Sequence, residues 1–237
     1  MPTLQANGIS IYYETHGEGE PLLLIEGLGS ELTNYERIIR ALSEKYRVIC
    51  FDNRGAGRTE MPDAPYSIEM MAEDAAGLLQ TLGVGGANVL GISMGGKIAI
   101  ALTLSHPDLV RSLVLVSTSA KGNFKRSRVS ALMLFARRIP GIRSFGDKYP
   151  QPNYAFKRQR DASFSYDASA HLGEIHVPTV ILHGINDRTT PIRFAQDTQR
   201  GIGGSKMVTF NGGHLFPFFR PREFVDAVVS FLDGLGA

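Results

Sequence analysis

Short apolar runs rich in β-branched residues alternate with amphipathic stretches along most of this chain. The runs are Leu22 to Ile25, Val48 to Phe51, Asn88 to Ile92, Leu113 to Val116 and Val180 to Leu182, and between the early ones lie Tyr35 to Leu42, Ile68 to Leu82 and Lys97 to Leu104. Buried strands alternating with helices predict an α/β fold, a mostly parallel central sheet with helices on both faces. Upstream, Ile9, Ile11 and Tyr13 alternate with Ser10, Tyr12 and Glu14, which predicts antiparallel strands entering the sheet, with a turn over Gly17 to Pro21. Thr33-Asn34-Tyr35-Glu36 has the form of a capping box, and Ser67 ahead of Glu69, Glu73 and Asp74 places acid in the first turns of a helix. Near the end, Pro221 opens a segment in which Phe224, Val225, Val228, Val229 and Leu232 recur at helical spacing, closed by Gly234.

The alternation breaks between Lys121 and Gly173, where Phe124, Leu132, Leu134, Phe135, Ile139, Ile142, Phe145, Tyr149 and Phe156 lie among basic residues and prolines. This stretch reads as a short helical cap, residues 121–173, inserted into a core made of residues 1–120 and 174–237. An insertion at the carboxyl end of a strand lies where open α/β sheets bind ligands. It is also strongly basic: Lys121 to Ala170 holds 11 Lys/Arg against 3 Asp, or +8, so the rest of the +2 chain totals −6. Such a block can attract acidic substrates, an anionic membrane surface or nucleic acid, or serve as a solvated surface; no nucleic-acid-binding module accompanies it, and no nucleic-acid partner is expected.

A length of 237 residues with 43% hydrophobic and 20% charged positions fits a globular protein with one sizeable core. The single cysteine, Cys50, forms no intrachain disulfide, and no His/Cys set has the spacing of a zinc site, so no metal or cofactor is expected. No apolar run approaches the roughly 20 residues of a membrane span. The N-terminus lacks the basic and apolar regions of a secretory signal, which together with the lone thiol points to the cytoplasm. A monomer or homodimer is expected.

The chemistry concentrates in Gly91-Ile92-Ser93-Met94-Gly95, a G-x-S-x-G sequence between a strand-like and a helix-like stretch. A nucleophile elbow needs that context, because the serine sits in a strained turn where bulk at Gly91 or Gly95 would collide with neighbouring backbone. A rival reading takes Gly91 to Gly96-Lys97 as most of a phosphate-binding loop, but a Ser or Thr for Mg²⁺ should come next, and Ile98 stands there. A serine nucleophile needs a base and an acid that orients it. Of the 6 histidines only His214 comes after the last strand-like run, Met207 to Phe210, in a Gly-rich loop. His183 is expected to hydrogen-bond locally and His106, before Pro107, to cap a helix. Asp187 is the only carboxylate in the loop Asn186-Asp187-Arg188 and is the expected acid; Asp52 is expected to organise its loop by pairing with Arg54 or Arg58. Acyl transfer also needs donors for the developing oxyanion. The expected pair is the backbone N–H of Met94, next to the nucleophile, and that of Leu28 in Glu26-Gly27-Leu28-Gly29-Ser30.

Taken together, the elbow Gly91 to Gly95, the acid loop His183 to Asp187 and the base loop Gly213-His214 resemble the α/β-hydrolase superfamily, as do Asp52 to Arg58 and Pro107 to Leu115. The resemblance covers nearly the whole chain except the cap. It implies Ser93 as nucleophile, His214 as general acid/base and Asp187 as its orienting carboxylate, with no cofactor. A serine in place of an aspartate nucleophile argues against the dehalogenase and epoxide-hydrolase branches and leaves esters, thioesters, lactones and some carbon–carbon bonds as targets; haloperoxidase-like perhydrolases and enol-lactonases look similar too. The chain departs from the family in carrying Glu26 where a histidine is frequent, putting a carboxylate near the site, and in a cap short enough to imply an open site. The expected activity is a serine hydrolase cleaving carboxylic esters of small molecules through an acyl-enzyme; the alternatives are a lactonase or perhydrolase on the same residues, or a ligand-binding or signalling homologue with little turnover.

Overall fold

The computed structural model describes residues 2–122 and 148–236. Eight strands form one sheet: β1 (Thr3–Ala6), β2 (Ile9–His16), β3 (Pro21–Ile25), β4 (Arg47–Phe51), β5 (Ala87–Ile92), β6 (Val110–Val116), β7 (Thr179–Gly184) and β8 (Lys206–Phe210), in the order β1-β2-β4-β3-β5-β6-β7-β8. β1 and β2 form a hairpin in which Ala6 faces Ile9 across Asn7-Gly8, both at positive φ. That is the Asn-Gly pair whose left-handed conformations match strand twist. β2 runs antiparallel to β4, and every pairing from β4 onward is parallel, so the sheet is mixed at one edge only.

The central strands are apolar throughout because both faces are covered. Leu23, Ile25, Val89, Leu113 and Leu115 pack towards helices α2 (Ile68–Thr81) and α3 (Met94–Ser105), against Met71, Leu78, Leu79, Ile98 and Leu102. Their alternates Leu22, Leu24, Leu90, Val114 and Val116 pack towards α1 (Glu36–Leu42) and the C-terminal helix, against Ile38, Leu42, Phe224 and Val228. Phe224, Val228 and Leu232 bury one stripe of that last helix, which runs from Pro221 to Asp233 and ends at Gly234 as its sequence predicts. Each such side chain contributes about 1.5–3 kcal/mol of burial.

Two local expectations change. The capping box falls on Glu31 and Asn34, not Thr33 and Glu36: Glu31 is extended, its N–H donates to Asn34 Oδ1 at 3.0 Å, and a single tight turn, Leu32–Tyr35, precedes α1. The chain turns early because Leu32 and Tyr35 are buried. Ser67 caps α2 as expected, accepting the Met70 N–H at 3.1 Å, but Asp74 is a buried partner of Arg54, with oxygens 2.6 and 2.8 Å from the guanidinium. Of its two expected partners Asp52 therefore pairs with Arg58, at 3.0 Å, and also accepts the N–H groups of Leu32 and Arg58, each at 2.8 Å, tying the loops after β3 and β4 together. His106 ends α3 through its backbone N–H while its ring meets Glu73 of α2 at 2.9 Å.

Of the expected 121–173 insertion, residues 123–147, with Phe124, Leu132, Leu134, Phe135, Ile139, Ile142 and Phe145, lie outside the described residues. Its second half includes α4 (Asn153–Ser165), whose Ala155, Phe156, Gln159, Ala162 and Ser163 are buried. A bridge between Lys121 and Asp167 brings the chain back to the core. Among the described residues two further helices precede the last, α5 (Ile192–Gly201) and the short α6 (Phe216–Phe219); the C-terminal helix is α7 (Pro221–Asp233). The chain runs β3 to β4 in one direction and returns past β3 to β5 in the other, so strand order reverses there, and loops at the carboxyl ends of β3, β5, β7 and β8 open on one edge of the sheet.

Candidate active site

Ser93 links β5 directly to α3, with φ 56° and ψ −112°. A non-glycine residue in that conformation costs of order 1–3 kcal/mol, and its neighbours hold it there. Its N–H donates to Val116 O at 2.8 Å, and its carbonyl accepts the Thr118 hydroxyl at 2.6 Å and the Gly96 N–H at 3.1 Å. The two glycines of the motif are required by close approach: a Cβ on Gly91 would overlap the Gly95 carbonyl, and one on Gly95 the Ile25 carbonyl. The helix thus starts right after Ser93, leaving the serine hydroxyl at the carboxyl edge of the sheet.

The loops after β7 and β8 bring the other two expected residues to it. His214 Nε2 lies 3.0 Å from Ser93 Oγ, and His214 Nδ1 lies 2.7 Å from Asp187 Oδ2. A carboxylate oxygen only accepts, so Nδ1 carries the proton and Nε2 is left as the acceptor for the Ser93 hydroxyl. Asp187 is buried, and its second oxygen accepts the N–H groups of Thr189 and Thr190, both at 2.8 Å. His183 is fully buried; its Nε2 donates to Thr190 O at 2.8 Å and lies 3.6 Å from Asp187 Oδ2, and burial holds its pKa below the ordinary value. It braces the acid loop locally, as expected. His214 is braced from behind by Ser117, whose hydroxyl donates to the His214 carbonyl at 3.0 Å and whose φ of 47° marks another left-handed residue.

The loop after β3 lies beside the serine. A Cβ on Gly27 would stand 3.5 Å from Ser93 Cβ. The Gly27 N–H is held by Tyr35 Oη at 3.0 Å and the Gly29 N–H by Gln159 Oε1 at 3.1 Å. The N–H groups of Leu28 and Met94 donate to no acceptor among the described residues, and Met94 begins α3, where the first N–H groups have no intrahelical partner. No sequence pattern points to these supporting roles of Tyr35, Gln159 and Ser117. Nothing local marks them, since Gln159 meets Gly29 across 130 positions and Ser117 meets His214 across 97.

Two other expectations resolve here. Lys97 is buried one turn beyond Ser93, and its ammonium donates to the Ser163 carbonyl at 2.6 Å and hydroxyl at 3.1 Å; burial lowers its pKa to about 8. Ile98 is in the core. A phosphate-binding loop would need that lysine free, so the nucleotide reading fails. Glu26 is wholly buried, its carboxyl oxygens have no hydrogen-bond partner among the described residues, and burial first, then Asp52 and Glu31, pushes it well above the usual carboxylate range, towards its neutral form. Among the described residues no group of His, Cys, Asp and Glu could hold a metal, and no helix is long and apolar enough to cross a membrane.

The same architecture occurs in known proteins. The AB hydrolase superfamily protein YisY of Bacillus subtilis is 28% identical, the match covering 94% of each chain. The solved esterase EaEST of Exiguobacterium antarcticum superposes with a TM-score of 0.86 at 26% identity over 98% of both chains. The enol-lactonase of Burkholderia xenovorans LB400 superposes with a TM-score of 0.85 at 26% identity, covering 98% of this chain and all of that one. Residues 20–150, more than half of the chain, match the family described by the alpha/beta hydrolase fold. With its eight-stranded, mostly parallel sheet and its helix-covered faces, this chain belongs to the α/β-hydrolase family.

Proposed function

We propose that the protein is a serine hydrolase of small carboxylic esters. The observation that carries this reading is the hydrogen-bonded chain from Ser93 through His214 to Asp187, with its 3.0 and 2.7 Å links, on a strained strand-to-helix turn. His214 Nε2 takes the Ser93 proton as Oγ attacks the ester carbonyl, and Asp187 holds the imidazole in the acceptor tautomer and stabilises the imidazolium. The N–H groups of Leu28 and Met94 receive the oxyanion. His214 then protonates the departing alcohol, activates a water on the acyl-enzyme, and the acid leaves. In this reading the 121–173 insertion is the cap of the enzyme, its described helix α4 meeting the loop after β3 through Gln159, and the buried Cys50 suits a reducing compartment such as the cytoplasm.

The test is turnover of p-nitrophenyl acetate, butyrate and octanoate by the protein and by Ser93→Ala, with circular dichroism on both. Loss of about 10⁴-fold or more in Ser93→Ala with the fold intact is expected; a folded variant that keeps its turnover overturns the assignment. A second reading, hydrolysis of a carboxylate-bearing lactone, draws on the likeness to an enol-lactonase and on the +8 charge of Lys121 to Ala170. A lactone panel beside the esters separates the two. Labelling by a fluorophosphonate with no turnover of either class would favour a binding role instead.

A further inference from the structure

Three consecutive backbone N–H groups after β3 meet different fates. Gly27 donates to Tyr35 Oη and Gly29 to Gln159 Oε1, whereas Leu28 between them donates to nothing among the described residues. The outer pair anchors the loop at both ends, which sets the tilt of the peptide plane that carries the Leu28 N–H. One anchor, Tyr35, belongs to the core. The other comes from α4, in the second half of the cap.

The Gln159 anchor is itself rigid. The residue is fully buried, and its carboxamide is engaged on both atoms: Oε1 also accepts Gln151 Nε2 at 2.9 Å, and Nε2 donates to Arg54 O at 2.8 Å. Gln151 Nε2 in turn reaches Gly55 O at 2.5 Å. One carboxamide therefore bridges the loop after β3 and the loop after β4. Gly29 is at φ +71°, and a Cβ there would stand 2.9 Å from the Phe156 ring, so α4 presses against the loop just where Gln159 holds it. Side chains locked by packing and supporting hydrogen bonds hold a site to within about 0.5 Å, whereas a misplacement of about 1 Å can cost about 10²-fold in rate.

We propose that Gln159 is a positioning residue for acyl transfer, holding the Gly29 N–H so that the adjacent Leu28 N–H points at the oxyanion formed on Ser93. This rests on the protein being a serine hydrolase and couples the cap helix to the site without any contact between Gln159 and substrate. Its loss should weaken binding of the tetrahedral species more than binding of the ester.

The full-length protein is compared with Gln159→Met, which keeps the length of the side chain but removes the acceptor. Active sites are counted by fluorophosphonate titration, and kcat and KM for p-nitrophenyl butyrate are expressed per titrated site. In parallel, inhibition by 1,1,1-trifluoroheptan-2-one is measured. With that ketone Ser93 Oγ bonds to the carbonyl carbon, the π electrons move to oxygen as an oxyanion, and the Ser93 proton passes to His214. Expected is a fall in kcat of about tenfold or more with KM within about threefold, and a rise in the ketone inhibition constant that tracks the fall in kcat/KM. A kcat per titrated site within about threefold of the parent overturns the inference, including the case in which only the number of titratable sites falls. If Gln159→Met does not fold, Gln159→Asn, which draws the oxygen back by one methylene, is read by the same criteria. Ser93→Ala separates the two layers: a Ser93-dependent enzyme indifferent to Gln159 sinks this inference alone, and a folded, active Ser93→Ala protein takes both down.

Discussion

Replacing Asp187 by asparagine should nearly abolish turnover while leaving the fold in place, and the structure dictates why. Asp187 accepts three hydrogen bonds: Thr189 and Thr190 N–H on one oxygen, His214 Nδ1–H on the other. Asparagine has one oxygen and one NH₂ group of the same shape. Turning the NH₂ towards the loop would set it against two backbone donors, so the oxygen stays with Thr189 and Thr190 and the NH₂ faces His214. Nδ1 must then accept, the proton moves to Nε2, and Nε2 no longer accepts the Ser93 proton across the present 3.0 Å. The same inversion in a serine protease costs about 10⁴-fold in kcat, which corresponds to about 5 kcal/mol of barrier. The assay is p-nitrophenyl butyrate hydrolysis per titrated active site, with thermal melting as the folding control. The buried charge is replaced by an amide keeping two of its three bonds, so stability should change far less than the rate. A folded Asp187→Asn protein within about tenfold of the parent would refute the tautomer argument.

Gly95→Ala should be among the most damaging single changes, because the added methyl overlaps the Ile25 backbone carbonyl at the β3–α3 contact. Strain there is expected to cost more than about 3 kcal/mol or to prevent folding, read as the urea midpoint; a midpoint within experimental error of the parent would contradict the packing account. Glu26→Gln tests the neutral buried acid. The folded carboxyl holds its proton well above the ordinary glutamate range, so above that range the unfolded chain releases a proton that the folded one keeps, and stability falls as pH rises towards the folded pKa. The slope contribution is up to about 1.4 kcal/mol per pH unit. Urea unfolding at successive pH values should therefore show the stability of Glu26→Gln gaining on the parent as pH rises above the ordinary glutamate range. Parallel curves would mean that Glu26 is charged in the folded protein.

Local sequence carries much of this protein. The strands are legible because both faces of a parallel sheet are buried, which forces runs such as Leu22 to Ile25 to be apolar throughout. The elbow is legible because the close approach of β3, β5 and α3 leaves room only for glycine at Gly91 and Gly95. Chain order together with loop position singles out Asp187 and His214, and the structure brings both to Ser93. The capping box lies two residues ahead of the pattern that suggests it because burial of Leu32, a tertiary demand, fixes where the chain turns.

Partner choice is decided only in three dimensions. The sequence leaves Asp52 to pair with either Arg54 or Arg58, and the answer depends on Asp74 arriving from α2 to claim Arg54. Glu26 reads as a charge beside the site, but burial without a hydrogen-bond partner among the described residues pushes it towards its neutral form. The supporting roles of Gln159, Tyr35 and Ser117 carry no motif, because a side chain that holds a distant backbone group needs only the right shape and place. Residue type and spacing determine what a segment can form and which chemistry it can host; desolvation and hydrogen-bond satisfaction depend on which segments meet, and that is settled by packing.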